Sequence, residues 1–481
     1  MDVALGTPDH PLRVAVVGSG PSGFYAAGHL QSRPELVVQV DMYDRLPTPF
    51  GLVRGGVAPD HQKIKSVTRI YDKIASHPEF RFYGNVELGR DLVREDLAAY
   101  YHATVYAVGA RIDRRMGIPG EQLPGSHSAT EFVGWYNAHP DFRNLSFDLS
   151  GDRVVVVGNG NVAMDLARIL ASSPEALEST DIAEHALEVL SRSGIREIHV
   201  LGRRGPGQAA FTSKELRELG DLPDVDVIVN PSDLKLDPLT SETISAEPDR
   251  NRDRNLEALA RFAERPPSGA STRIVLQFLV SPIEVLGRER VEALRVAANE
   301  LYRAGDGALR PRVVGEPWMI EADLVFRAVG YQGAPLPRVP FDAMSGVIPN
   351  ERGRVIDPTG GVLPGGEYVV GWIKRGARGI IGTNKPDSQE TVAALFEDLE
   401  AGRLDKDEVP SREALEQLLR QRRPDFVSYS DWQLIDRLEQ ERGRSAGDRP
   451  RVKFSRVEEM LSALQERKGE GSEGEGDDRR G

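Results

Sequence analysis

The sequence predicts an α/β protein built on two Rossmann-like dinucleotide-binding domains, the second inserted into the first, with a helical C-terminal extension. Three observations predict it. A glycine fingerprint, Gly18-Ser19-Gly20-Pro21-Ser22-Gly23, stands between the apolar run 14–17 and a helix-compatible stretch at 24–30. A second, Gly158-Asn159-Gly160-Asn161-Val162-Ala163, stands between the β run 153–157 and the helical MDLARILA. At 481 residues the chain is also too long for one hydrophobic core, so two or three domains are expected.

In the first fingerprint Gly18 permits the tight turn, Gly20 lets the backbone approach a pyrophosphate, and Gly23 allows helix and strand to pack closely. The amides that open the helix then point at the phosphates, where the helix dipole favours negative charge. Gly18, Gly20, Pro21, Ser22 and Gly23 are the cofactor-binding residues expected in this turn. A second β run, 36–43, ends on Asp44, about twenty residues beyond Gly23, where a carboxylate accepts from ribose hydroxyls. This first site therefore suits FAD.

The stretch RLPTPFGLVRGGVAPDHQKIKSV follows, and its prolines and glycines make a helix improbable before Ile64. It is read as an ordered or functional loop containing His61, and a lone loop histidine is more often a surface residue. A helix at 63–75, a short strand at 80–83 and a third β run at 104–108 come next.

The second fingerprint carries alanine as its third small residue. Its partner strand, 197–201, comes after a helical insertion at about 172–193 and ends in Gly202-Arg203-Arg204-Gly205, with no acid. A carboxylate there would repel a 2′-phosphate, whereas arginine binds it through charge-assisted hydrogen bonds. The second site therefore suits NADP(H). A helix at 213–218, capped by Thr212 or Ser213, is expected next, and then a polar, irregular stretch from 221 to 265 relieved by a helix at 256–265. Strands at 273–280 and 291–297 form a β excursion, and 322–329 is a buried strand.

Near the C-terminal end, a strand delivers Gly371-Trp372 into a glycine-punctuated turn before a helix at 388–399, whose N-terminus is placed to stabilise negative charge on a reduced flavin. Helical patterns fill 405–467, broken at Arg423-Pro424-Asp425, and the Gly- and acid-rich tail from about Lys468 is expected to be disordered.

Bulk properties exclude several classes. A net charge of −13 argues against general nucleic-acid binding. No run approaches the roughly 18 apolar residues of a membrane span, and the N-terminus lacks a signal-peptide or transit-peptide pattern, so a cytoplasmic enzyme is expected. With no cysteine there is no disulfide, no redox CxxC and no Cys-ligated cluster, so redox chemistry must reside in a bound organic cofactor. No metal site is expected.

Six ordered motifs, GSGPSGFYAA, PTPFGLVRGGVAPDH, YAVGA, GNGNVAMDLARIL, GRRGPGQAAFTSKELREL and GWIKRGARGIIGTN, resemble adrenodoxin-reductase-type ferredoxin–NADP reductases, including the actinobacterial soluble enzymes. The resemblance covers about residues 12 to 400, with weaker matches at 450–464. It implies one non-covalent FAD, NADP(H), hydride transfer between them and one-electron steps to a small iron–sulfur ferredoxin. By resemblance, Ser22, Asp44, Leu52, Leu88, Trp372, Gly379, Ile380 and Ile381 contact FAD. Arg114, Asn159, Gly160, Asn161, Val162, Arg203, Arg204, Glu215 and Gly379 contact NADP(H). His61 and Glu218 match positions near the nicotinamide–flavin meeting point, where they orient groups and tune potential. Ala377 departs from the family's frequent proline.

The expected division is an FAD domain at 12–108 and 331–400, an NADP domain at 109–330, a helical extension at 401–467 and the tail at 468–481. Two other readings share this architecture: an NADPH-dependent flavin monooxygenase and a flavin-binding electron-transfer subunit. Phe132-Val133-Gly134…His139 resembles a monooxygenase fingerprint, but its histidine falls one residue late.

Overall fold

The apolar run around Val14 becomes the strand Leu12–Val17, buried along its whole length, as a strand must be when both faces of a parallel sheet are covered. It lies inside a seven-stranded sheet ordered Asn350–Glu351, Arg354–Val355, Glu367–Val369, Ala103–Tyr106, Leu12–Val17, Val38–Tyr43, Phe80–Tyr83. All pairings from Glu367–Val369 onward are parallel, and the first two strands form an antiparallel hairpin at one edge. The register sets Val17 beside Tyr43 and Tyr106, so the central strands end level. From Leu12–Val17 the chain winds outward to Val38–Tyr43 and Phe80–Tyr83, then returns to pair Ala103–Tyr106 on the other side. That reversal opens a crevice at the carboxyl end of the first strand, where such sheets bind ligands.

The computed structural model describes residues 4–357, 366–406 and 409–474. Its contacts divide the chain into two units, one of Met1–Val57, His61–Ile112 and Tyr331–Gly481, the other of Ala58–Asp60 and Asp113–Gly330. The chain thus leaves the first unit, builds the second, and returns.

In the first unit one face of the sheet is covered by Pro21–Leu30, Thr68–Ala75 and Asn384–Glu400, meeting in a core that holds Phe24, Tyr71, Val392 and Leu395. The C-terminal extension wraps both faces. Arg412–Arg422 places Leu415 and Leu419 in the core of one face, while Tyr429–Ser445 and Val457–Gly474 bring Trp432, Ile435, Met460 and Leu464 to the other. Arg412 also meets Asp41, whose fully buried carboxylate accepts from Tyr101 Oη at 2.8 Å as well.

Helix begins sooner than the proline and glycine content of the 45–67 loop implies, for Leu52–Gly55 and Gln62–Lys65 each form a single turn. Gly51, at φ +49°, and Phe50, at φ +83°, absorb the sharp entry into the first of them. The tail also needs correction. It is expected to be unfolded from about Lys468, yet Val457–Gly474 is helical, and Lys468 Nζ lies 2.7 Å from Asp431. Met460 and Leu464 bury one face of that helix, and burial of this kind extends a helix past what composition alone supports. Residues 475–481 lie outside those described.

Glu439 of the extension is fully buried. Burial alone would raise its pKa, but the Arg54 guanidinium, bonded through both nitrogens at 2.8 and 2.5 Å, with help from Arg451 and the Phe454 amide, holds it below the usual carboxylate value. A carboxyl depressed on folding stabilises the fold above its unfolded pKa, and the contribution is lost as pH falls through the folded value. Melting temperatures measured stepwise from neutral pH are expected to fall steeply below about pH 4. Glu439→Gln should be less stable at neutral pH and flatter below it; a variant curve parallel to wild type would assign the acid sensitivity to other carboxylates.

The second unit has a fully parallel sheet ordered Ser126–Ser128, Leu324–Arg327, Arg153–Val157, Glu197–Gly202, Thr272–Phe278, Val225–Val229. Of the two strands expected in the β excursion, Thr272–Phe278 belongs instead to this parallel sheet, paired between Glu197–Gly202 and Val225–Val229; the excursion itself is an antiparallel sheet of Val280–Leu286, Ala293–Arg303 and Leu309–Glu321. The stretch 221–265 is more ordered than its polarity suggests: it contains the strand Val225–Val229 and the helices Pro238–Ala246 and Arg250–Glu264. Ala258, Leu259 and Phe262 bury one stripe of the last helix in the unit's core, a periodicity that its many arginines obscure in the sequence.

Candidate functional site

Each fingerprint forms the same strand–turn–helix, and the glycines differ in what surrounds them. Gly18 has φ +108°, and a Cβ there would lie 2.5 Å from Ala107 O. A Cβ on Gly23 would lie 2.2 Å from Gly18 O. A Cβ on Gly20 would meet no protein atom within 4 Å. Gly158, at φ +140°, repeats the first pattern with its Cβ 2.3 Å from Ala328 O, Ala163 is fully buried at the packing position, and Gly160 is open like Gly20. The first and third positions are therefore closed by protein, while the middle one faces free space. Such a cradle fits a diphosphate resting on the backbone at the N-termini of the helices Pro21–Leu30 and Asn161–Ala171.

In the first unit Asp44 accepts from Ser19 N at 3.0 Å, Ser19 Oγ at 2.5 Å and Leu46 N at 2.9 Å. A carboxylate offers about four acceptor sites, so these leave room for a ribose hydroxyl while fixing the turn. Asp44, Gly18 and Leu88 line one cleft of about 380 Å³ with Arg45, Arg90 and Arg111. Pro21 opens the helix Pro21–Leu30, and Ser22 is buried beside it, its carbonyl accepting from Ser388 Oγ at 3.0 Å. Leu52 begins its turn with its side chain part-exposed.

Trp372 stacks on Tyr331, with centroids 5.7 Å apart, and its Nε1 donates to Arg378 O at 3.1 Å. Asp387, in the first turn of Asn384–Glu400, accepts from Gly371 N at 2.6 Å and pairs with the buried Lys374 at 3.2 Å, so the Gly-Trp turn is bound to that helix start. Gly379, at φ +82°, leads Ile380 and Ile381 into the helix; Ile380 is exposed and Ile381 packs on the core.

In the second unit Asn161 Oδ1 accepts from Thr212 N at 2.8 Å and Asn159 O accepts from Ala210 N at 3.0 Å, so the 209–212 segment clasps the turn. Val162 packs at the edge of the core. Neither Thr212 nor Ser213 caps the following helix through its hydroxyl; Asn251 Oδ1 instead accepts from Ser213 N at 2.8 Å. The exposed Arg114 donates its amide to Gly330 O at 2.9 Å.

Arg203 and Arg204 follow the second strand, and the β excursion holds their backbone: Asn299 Nδ2 donates to Arg203 O at 2.7 Å and Leu279 N to Arg204 O at 3.1 Å. Among the described residues neither guanidinium has an ion-pair partner. Burial, then repulsion from Arg203, pulls the Arg204 pKa down. Two adjacent arginines with no carboxylate partner among the described residues could hold an anionic group.

Glu215 and Glu218 lie on Ser213–Gly220 in the second unit, and both face Arg168, at 3.3 and 3.5 Å. Arg168 is nearly buried; burial opposes its charge, but Asp60, at 2.7 Å, Asp165, at 2.8 Å, and Glu215 outweigh it and hold the guanidinium charged. Sequence reasoning missed Arg168. Its signal was a charged pair, Asp165 and Arg168, spaced one helical turn apart in an otherwise apolar helix. His61, in the first unit, is buried and precedes Gln62–Lys65; it and Glu218 thus stand in separate units.

Residues 12–199 match the family described as pyridine nucleotide-disulphide oxidoreductase. The chain is 48% identical over 460 residues to the NADPH-ferredoxin reductase FprA of Mycobacterium leprae, covering 94% of this chain and 98% of that protein. It is 41% identical to the mitochondrial NADPH:adrenodoxin oxidoreductase of Salvelinus fontinalis, over 95% and 92% of the two chains. The structure of Mycobacterium tuberculosis FprA in complex with NADPH superposes with a TM-score of 0.89 at 47% identity, covering 95% of this chain and all of that one.

Proposed function

The chain belongs to the NADPH–ferredoxin reductase family of the adrenodoxin-reductase type, and from that premise we propose that it passes electrons from NADPH through FAD to a small iron–sulfur ferredoxin. FAD, when bound, supplies the chemistry that links a two-electron hydride donor to a one-electron acceptor. The observation that carries the assignment to this chain is the contrast between its two turns: an acid, Asp44, at the first strand end and an arginine pair, Arg203-Arg204, at the second.

In this reading the turn from Gly18 to Gly23 receives the FAD diphosphate, and Asp44 accepts from its ribose. Leu52, Leu88, Trp372, Gly379, Ile380 and Ile381 border the rest of the flavin nucleotide, and the start of Asn384–Glu400 favours negative charge there. Gly158, Asn159, Gly160, Asn161 and Val162 receive the NADP(H) diphosphate, Arg203 and Arg204 take its 2′-phosphate, and Arg114 and Glu215 border it. His61 and Glu218 orient groups where nicotinamide and flavin meet, since hydride transfer needs close placement of the two rings more than it needs proton transfer. With no cysteine in the chain, electrons leave by way of the flavin rather than a protein dithiol. No helix among the described residues is long and apolar enough to cross a membrane; a cytoplasmic location belongs to the same proposal.

The test is NADPH-driven reduction of cytochrome c by the purified protein, with and without an added ferredoxin. Reduction that rises with ferredoxin concentration is the expected result. Rates independent of ferredoxin, or NADPH use coupled to oxygen insertion into an organic substrate, would favour the monooxygenase reading and overturn this one.

A further inference from the structure

Among the described residues the C-terminal extension contributes no strand to either sheet, yet it carries a fully buried carboxylate directed at the loop that packs on the first fingerprint. Glu439 binds both terminal nitrogens of Arg54, at 2.8 and 2.5 Å, and its Oε1 also accepts from Phe454 N at 2.9 Å. Arg54 lies over the Trp432 ring at 5.3 Å, and Lys453 Nζ donates to the Arg54 carbonyl at 3.2 Å. Side chain and backbone of this one loop residue are thus both held by the extension.

The loop's other side touches the turn itself. Phe50 N donates to Ser19 O at 2.9 Å, and a Cβ on Gly51 would stand 3.0 Å from Gly20 Cα. Phe50 adopts φ +83°, a conformation that a bulky residue keeps only when its surroundings impose it. Those surroundings include Trp432, which meets the Phe50 ring edge-on at 5.6 Å. A second hold lies on the next loop. Gly84 and Val427 exchange backbone hydrogen bonds at 2.8 and 2.9 Å, and Asn85 Nδ2 donates to Asp425 Oδ2 at 3.1 Å, just before Val86 and Leu88 enter the cleft.

We propose that the extension is a clamp on the first dinucleotide site and that Glu439 is the positioning residue through which it acts. It fixes the Phe50–Arg54 loop against the Gly18–Gly23 turn and so sets how tightly the bound nucleotide is retained. The proposal rests on the reading of that turn as an FAD site. A bidentate guanidinium–carboxylate pair fixes direction as well as distance. Removing one partner of a buried pair leaves the other without compensation, so the loop shifts to find solvent.

The experiment measures release of FAD from holoprotein after dilution, followed by the rise in free-flavin fluorescence at a temperature well below unfolding. Glu439→Gln is expected to release FAD at least about tenfold faster than wild type. Leu464→Ala serves as the control, since it removes buried apolar packing from the same extension and leaves the Glu439–Arg54 pair in place; it should melt at a lower temperature but release FAD at the wild-type rate. If Glu439→Gln fails to fold, Arg54→Lys replaces it, keeping the charge while giving up the fork, and the same acceleration is required. Wild-type release from the loop variant, or equal acceleration by Leu464→Ala, overturns the clamp. Wild-type protein that neither contains nor takes up FAD would instead overturn the cofactor assignment.

Discussion

Replacing Arg203 and Arg204 together by alanine is expected to raise the KM for NADPH by about two to four orders of magnitude while leaving NADH kinetics nearly unchanged. The two cofactors differ only in the 2′-phosphate. Each charge-assisted hydrogen bond to it is worth roughly 1.5–3 kcal/mol, and about 1.4 kcal/mol is tenfold in affinity. Arg203 is exposed, so solvent screening sets its share at the lower end, while the half-buried Arg204 contributes more. Among the described residues neither guanidinium has a carboxylate partner, so on the proposed reading the pair gains its ion partner on binding. The maximal rate should largely persist, since the phosphate is remote from the transferred hydride. Steady-state ferricyanide reduction with both cofactors reads the result. Equal losses with NADH and NADPH would mean that the pair supports the fold rather than reading the phosphate.

Gly20→Val and Gly160→Val are expected to separate the two cofactors. Both positions have room for a Cβ as far as the protein is concerned, so neither variant should lose its fold through a clash at that atom. On the proposed reading the space they would fill is where the diphosphate approaches the backbone, and forced overpacking costs about 1–3 kcal/mol, or roughly 5–150-fold in affinity. Gly20→Val should purify with little flavin absorbance and take up added FAD weakly. Gly160→Val should remain yellow but bind NADPH poorly, as read by titration of the flavin spectrum. Contrast comes from Gly18→Val and Gly23→Val, whose Cβ atoms would lie 2.5 and 2.2 Å from backbone oxygens and which should therefore fail to fold. Undiminished flavin in Gly20→Val would place the diphosphate elsewhere.

Much of the site was legible because its signals are local. A turn that must be tight, open and closely packed within six residues admits few side chains at three of them, and the open middle glycine of each fingerprint is where the structure leaves space. The acid at one strand end and the arginine pair at the other are likewise set by short spacing from each turn. Less legible were elements whose stability comes from distant partners. The helix expected at 256–265 begins earlier, at Arg250, in polar turns that continue the part carrying Leu259 and Phe262 into the core, and Val457–Gly474 continues into an acidic tail because Met460 and Leu464 are buried elsewhere in the first unit.

The sequence by itself determined the two dinucleotide folds, their chain order, the absence of cysteine chemistry and the difference in charge between the two sites. Those properties depend on residues within about twenty positions of each other, where backbone sterics and strand-to-helix periodicity act. Only the tertiary structure decided that Asp44 also binds Ser19, that Arg168 gathers Asp60, Asp165, Glu215 and Glu218, and that Glu439 reaches Arg54 across 385 positions of chain. A buried charge must find an opposite charge somewhere, but the requirement does not say where along the chain that partner lies. Packing makes that choice, because the helix that fills an apolar face also determines which of its polar residues arrive beside a loop.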